Sequence, residues 1–175
     1  MNEGLYMRYE GDAAIPEGFT EDERRDIEET LREFTHQFAM VEQFGDEALL
    51  VWKRLNEERG YRKGKYLIDK YEIEGTDIHT VKMLIQAYFD DDPKRTARPD
   101  IDIEDDKIII SSSGFCPLIE TAKILKLDMS YMCPYSTRPY FLSMCRAVNP
   151  KVRHKTTKWR ALGDDICREI FWIEG

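Results

Sequence analysis

Ile101-Asp102-Ile103-Glu104-Asp105-Asp106-Lys107-Ile108-Ile109-Ile110 is the stretch that decides the fold class. Upstream of it, apolar residues recur every three or four positions, which is the period of a helix. Here the period drops to two, and an acidic turn separates an alternating run from a continuous one. That is the pattern of a β-hairpin whose second strand is buried. Helical patterns precede the hairpin, and strands with short helices between them follow it. The order predicts an α+β domain. N-terminal helices should pack on a small antiparallel sheet of roughly four to five strands with inserted short helices.

Outward from the hairpin, residues 1–19 show no period and form an arm. Thr20-Glu21-Asp22-Glu23 is a capping box, in which the hydroxyl and the carboxylate each satisfy a free backbone donor. Ile27, Leu31, Phe34, Phe38 and Val41 then make one amphipathic stripe. After Gly45-Asp46 a second helical pattern runs through Ala48, Trp52 and Leu55 to Tyr66, Leu67 and Tyr71. Gly60 and Gly64 inside it mark either a break or a face against which another backbone packs closely. Each costs about 1 kcal/mol relative to alanine. Asp77 opens a third helix through Tyr88, and Asp90-Asp91-Asp92-Pro93 ends it. Downstream, short helices are predicted near 117–126 and 135–147. Strands follow at 151–161 and 166–174, joined by Gly163-Asp164-Asp165. The division is an arm (1–19) and one domain (20–175), with a helical part at 20–92 and a cysteine-bearing sheet part at 98–175.

The chain has 175 residues, 42% hydrophobic and 34% charged, which suits one domain with a real core. It lacks an apolar run long enough to span a membrane. The N-terminus carries no basic start followed by an apolar stretch, and a cytoplasmic location is expected. A net charge of −8 disfavours a nucleic-acid partner. The cluster Lys151, Arg153, His154, Lys155, Lys158 and Arg160 suits the solvated side of an edge strand.

The chemistry concentrates in the cysteines, all four in the C-terminal third. A reducing compartment argues against a disulfide framework. Cys116-Pro117 and Cys133-Pro134 each place proline where a helix would begin, and so place the thiol at a cap. Backbone N–H groups and the helix dipole favour a thiolate there. Cys167 stands at the start of the last strand. Cys145, among Phe141, Leu142, Met144 and Val148, belongs to the core. No Cys-x-x-Cys knuckle occurs, so a metal site would have to be assembled by the fold. Three thiolates suit zinc, and iron less well, with Glu120, His154 or water as the fourth ligand. Glu120 and Asp164 are the residues placed to move a proton. His36 and His79 are ordinary helix residues. Tyr131, Tyr135, Tyr140, Phe141, Trp159, Phe171 and Trp172 mostly build the core and could line a pocket.

Thr156-Thr157-Lys158-Trp159-Arg160-Ala161-Leu162-Gly163-Asp164-Asp165-Ile166-Cys167 resembles the closing signature of the 4-vinyl reductase domain family. In that signature two cysteines stand eight positions apart before the final strand. Trp159 occupies the first of those positions here. Cys133 looks like the family's upstream cysteine ligand. The chain is more similar to a related group named after L-2-amino-thiazoline-4-carboxylic acid hydrolase, in which a Cys-Pro dipeptide such as Cys116-Pro117 precedes the conserved region. The resemblance covers residues 105–174. It implies a zinc site in which Cys116 replaces the missing thiolate, and pairing into a homodimer. Two functions follow as expectations. One is a hydrolase acting on a small nitrogen heterocycle or amide-like compound through a cysteine-held metal or a reactive thiol. The other is a small-molecule sensor or carrier with a structural zinc.

Overall fold

The structure is a computed structural model that describes residues 15–126 and 133–175. It is α+β, with helices packed on a four-stranded sheet among the described residues. The first part of the predicted arm and Tyr131 lie outside the described residues.

Helix α1 (Glu21–Phe44) starts where the capping box places it. Thr20 Oγ1 accepts from the Glu23 N–H at 3.3 Å, and Glu23 accepts from the Thr20 N–H at 2.8 Å. Its stripe of Ile27, Leu31 and Phe34 packs with Leu49 and Trp52 of α2 (Asp46–Lys70). Helix α2 runs unbroken through both of its glycines. A Cβ at Gly60 would lie 2.1 Å from the Tyr140 carbonyl oxygen, and one at Gly64 2.5 Å from that of Met144. The glycines therefore mark a close backbone crossing, the second of the two predicted readings. The crossing partner is a helix of the sheet part, α5 (Thr137–Arg146).

Helix α3 (Ile78–Asp90) is capped by Asp77, whose carboxylate accepts from the Thr80 N–H. Just past its C-terminal end, Asp91 accepts from Lys63 and Lys70 of α2 at 2.6 Å each, and from the Tyr71 hydroxyl at 3.1 Å. Those donors, Lys63 first, hold the Asp91 carboxyl well below the usual carboxylate range.

The predicted hairpin is β1 (Asp100–Glu104) and β2 (Lys107–Ser112). Asp105 and Asp106 both take the left-handed conformation, at φ 48° and 56°, as a tight two-residue hairpin turn requires. Helix α4 (Pro117–Leu125) ends on Lys126 in the left-handed conformation. Strands β3 (Val152–Lys158) and β4 (Cys167–Ile173) complete an antiparallel sheet of order β1-β2-β4-β3.

The strand predicted over 151–161 stops short. A register shift between Thr156 and Lys158 loosens the ladder. The Asp164 carboxylate then takes the Trp159 N–H at 2.5 Å, and Arg160–Leu162 turn as a short 3-10 helix into Gly163.

The main core lies where α2, α3 and α5 cover one half of the sheet. Leu67, Val81, Leu84, Ile85, Ile108, Met144, Cys145, Val152 and Phe171 are fully buried there. Each such side chain is worth about 1.5–3 kcal/mol of hydrophobic stabilisation. No helix among the described residues is long and apolar enough to cross a membrane.

Candidate functional site

Alternation along β4 puts Cys167, Glu169 and Phe171 on one face. Their register partners on β2 are Ser112, Ile110 and Ile108. Phe171 enters the core, whereas Cys167, Glu169, Ile110 and Ser112 form the floor of a cavity of about 400 Å³. Over that floor stand Cys116, Pro117 and Leu118 at the start of α4, and Cys133, Arg138 and Phe141 at and before α5. Trp159 and Arg160 close one side. Asp26, Glu29, Thr30 and Glu33 of α1 face them, with Tyr88, Phe89 and Arg95 from the end of α3 and beyond.

The three cysteines singled out in the sequence thus line one cavity, and Cys145 is buried in the core. Two of these thiols, Cys116 and Cys133, are not activated. Burial pushes the Cys116 thiol up, although the Ile119 and Leu118 N–H groups and Arg160 pull the other way. The helix-cap effect expected from Cys116-Pro117 is present and outweighed. Burial pushes the Cys133 thiol up to about 12, with the nearby Cys116 and Glu169 adding to it against Arg138. Cys116 occupies the N-cap of α4, whereas Ser136 and not Cys133 occupies that of α5. Cys133 lies in a turn that runs to Ser136, the residue before α5, and its carbonyl accepts from the Arg138 N–H.

Other predicted residues stand apart from the cavity. Glu120 is ion-paired with Lys123 at 2.9 Å. Asp164 braces the turn after β3 through Trp159. His154 on β3 is the register partner of Phe171 and shares its face outside the cavity lining, the two rings 4.6 Å apart between centroids. Its Nε2 is 3.5 Å from the Glu169 carboxylate. No three His, Cys, Asp or Glu side chains among the described residues come together in an arrangement that holds a metal ion. Cys167 lies in the floor and Cys116 and Cys133 stand over it, and among the described residues the three thiols form no such cluster.

Sequence reading missed Arg95 and Arg138 of the cavity and assigned Arg160 to a solvated basic cluster. Arg138 stacks on Trp159, its guanidinium carbon 4.0 Å from the ring centroid, and its buried Nε has no partner. Arg95 stacks on Tyr88 at the same distance. Arg160 donates to the Gly114 carbonyl at 2.7 Å. Among the described residues none of the three arginines forms an ion pair. Two of the carboxylates on the opposite wall are already occupied. Burial pushes Asp26 up, but hydrogen bonds from Thr96 and Arg25 win and leave its carboxyl below the usual range. Glu33 is paired with Arg59 at 2.5 Å.

Neither a protein-family model nor a curated protein matches this sequence. The function therefore rests on the cavity itself.

Proposed function

We propose that the cavity binds a small organic anion with an apolar or aromatic body. The observation that carries this reading is the set of three arginines. Asp26, Glu29, Glu33, Asp92 and Glu169 also line the cavity, yet Arg95, Arg138 and Arg160 form no ion pair with them or with any other described carboxylate. Two of them sit over aromatic rings at 4.0 Å, a contact that engages the guanidinium face and leaves edge donors for a planar anion. Phe89, Phe141 and Leu118 supply an apolar wall for the body of such a ligand. Two of the three thiols are held protonated, which favours binding over thiol attack, because the thiolate is the nucleophile.

The test uses Trp159 as reporter. An arylcarboxylate and its primary amide should both perturb tryptophan fluorescence, and the perturbation should vanish in Trp159→Phe. The carboxylate should bind at least about tenfold tighter, as a charge-assisted hydrogen bond of 1.5 kcal/mol or more requires. Arg138→Gln should erase that preference. Equal affinity for acid and amide in the unaltered protein would reject the reading.

A further inference from the structure

Every residue of α2 stays out of the cavity lining, and the outer face of that helix has a pattern of its own. Glu47, Val51, Arg54, Glu58, Tyr61 and Lys65 follow at spacings of four and three, and all six are exposed. The spacing alone is that of a helix–helix seam, since four of the six positions carry charges where a coiled coil places apolar residues. Its apolar members are well exposed, Val51 at 58% and Tyr61 at 45%, with Leu50 and Leu55 beside them at 61% and 55%. At about 1.5 Å per residue the seam is roughly 27 Å long.

The order of residue types along the seam is self-complementary. When one copy is turned end to end against another, Glu47 meets Lys65, Val51 meets Tyr61 and Arg54 meets Glu58. A two-fold axis makes each of these contacts twice. The parallel arrangement would put Glu47, Arg54, Glu58 and Lys65 each against its own copy, four like-charge meetings. Charge therefore selects both the partner and the direction. Glu47 and Arg54 form no ion pair among the described residues. Glu58 is joined only to the exposed Arg62 one turn on, at 2.5 Å.

We propose that α2 is a self-docking surface through which two copies of this chain pair as an antiparallel helix dimer, with reciprocal Arg54–Glu58 contacts at its centre. The contacts of the pair take no residue from the cavity walls, because α2 contributes nothing to them.

Sedimentation velocity over a range of protein concentrations, at low salt, tests this. The unaltered chain should reach roughly twice its 20.7 kDa mass. Arg54→Glu alone should place Glu against Glu58, and Glu58→Arg alone should place Arg against Arg54. Each should weaken dimerisation at least about tenfold, and added salt should weaken the unaltered dimer. The double variant R54E/E58R restores opposite charges and should restore the dimer. Circular dichroism of all three variants should match the unaltered protein, since both positions are exposed. A chain that remains monomeric at the highest concentration overturns the proposal. So do single variants that still dimerise fully, or a folded double variant that fails to recover.

Discussion

One face of the sheet serves two ends. At Phe171 it is sealed, and the ring is fully buried among Ile108, Met144 and Val152. Two and four residues earlier on the same strand, Glu169 and Cys167 line an open cavity. Helix α5 crosses both halves, with Met144 and Cys145 over the packed one and Arg138 and Phe141 over the other. Strand and helix are shared, so architecture does not make the difference. Residue type does. The packed half carries the stability, and the cavity half carries polar groups that the fold itself does not use.

Phe171→Ala strikes the packed half hardest. Removing a fully buried ring should cost about 3–5 kcal/mol, measured by urea unfolding. Arg138→Gln in the cavity half should cost far less. If the two losses were equal, the contrast between the halves would be gone. Gly60→Ala comes next. Its Cβ would meet the Tyr140 backbone oxygen, which cannot swing aside as a flexible side-chain tip would. Forcing α2 and α5 apart should cost about 1–3 kcal/mol. Because α5 roofs the cavity through Arg138 and Phe141, the same substitution should also weaken arylcarboxylate binding.

The packed half was the more legible in sequence. Periods of four and three marked α1 and α3, and the capping box fixed where α1 begins. The paired glycines left a break and a close crossing both open and did not name the partner, which lies 80 residues from Gly60 at Tyr140. In the cavity half, Cys116, Cys133 and Cys167 were found because cysteine carries its chemistry in its name. Arginines do not, and nothing local distinguishes Arg138 or Arg95 from a solvated surface residue. Glu169 was within reach, since alternation from Phe171 places it on the inner face. Glu120 and Asp164 were misleading because each satisfies a local need, an ion pair one turn on in the first case and a turn brace in the second.

The thiols allow a test of the cavity half by pH. Cys133 is held protonated up to about 12 when folded, against roughly 8.5 in an unfolded chain. A raised folded value stabilises fully below the unfolded value, and that contribution is lost as pH rises towards the folded one. Stability should therefore fall between about pH 9 and pH 12, and fall less in Cys133→Ala. At pH 8, maleimide should label Cys116 and Cys133 far more slowly in the folded protein than in urea.

The smallest expected effect is the most diagnostic. Glu169→Gln keeps the shape of the side chain and removes a charge that sits beside the thiols. Its carboxylate has the His154 ring nitrogen at 3.5 Å as its only ion-pair contact among the described residues, and that separation is long for a strong pair. Unfolding free energy should change by no more than about 0.5 kcal/mol. The same change removes a like charge that helps to hold the Cys133 proton, so that thiol should come down and its labelling should speed up. Stability unmoved while thiol reactivity rises is the signature of a residue that acts on the cavity rather than on the core. A large loss of stability in Glu169→Gln would instead place this position with Phe171, and the line between the two halves of the sheet would have to be redrawn.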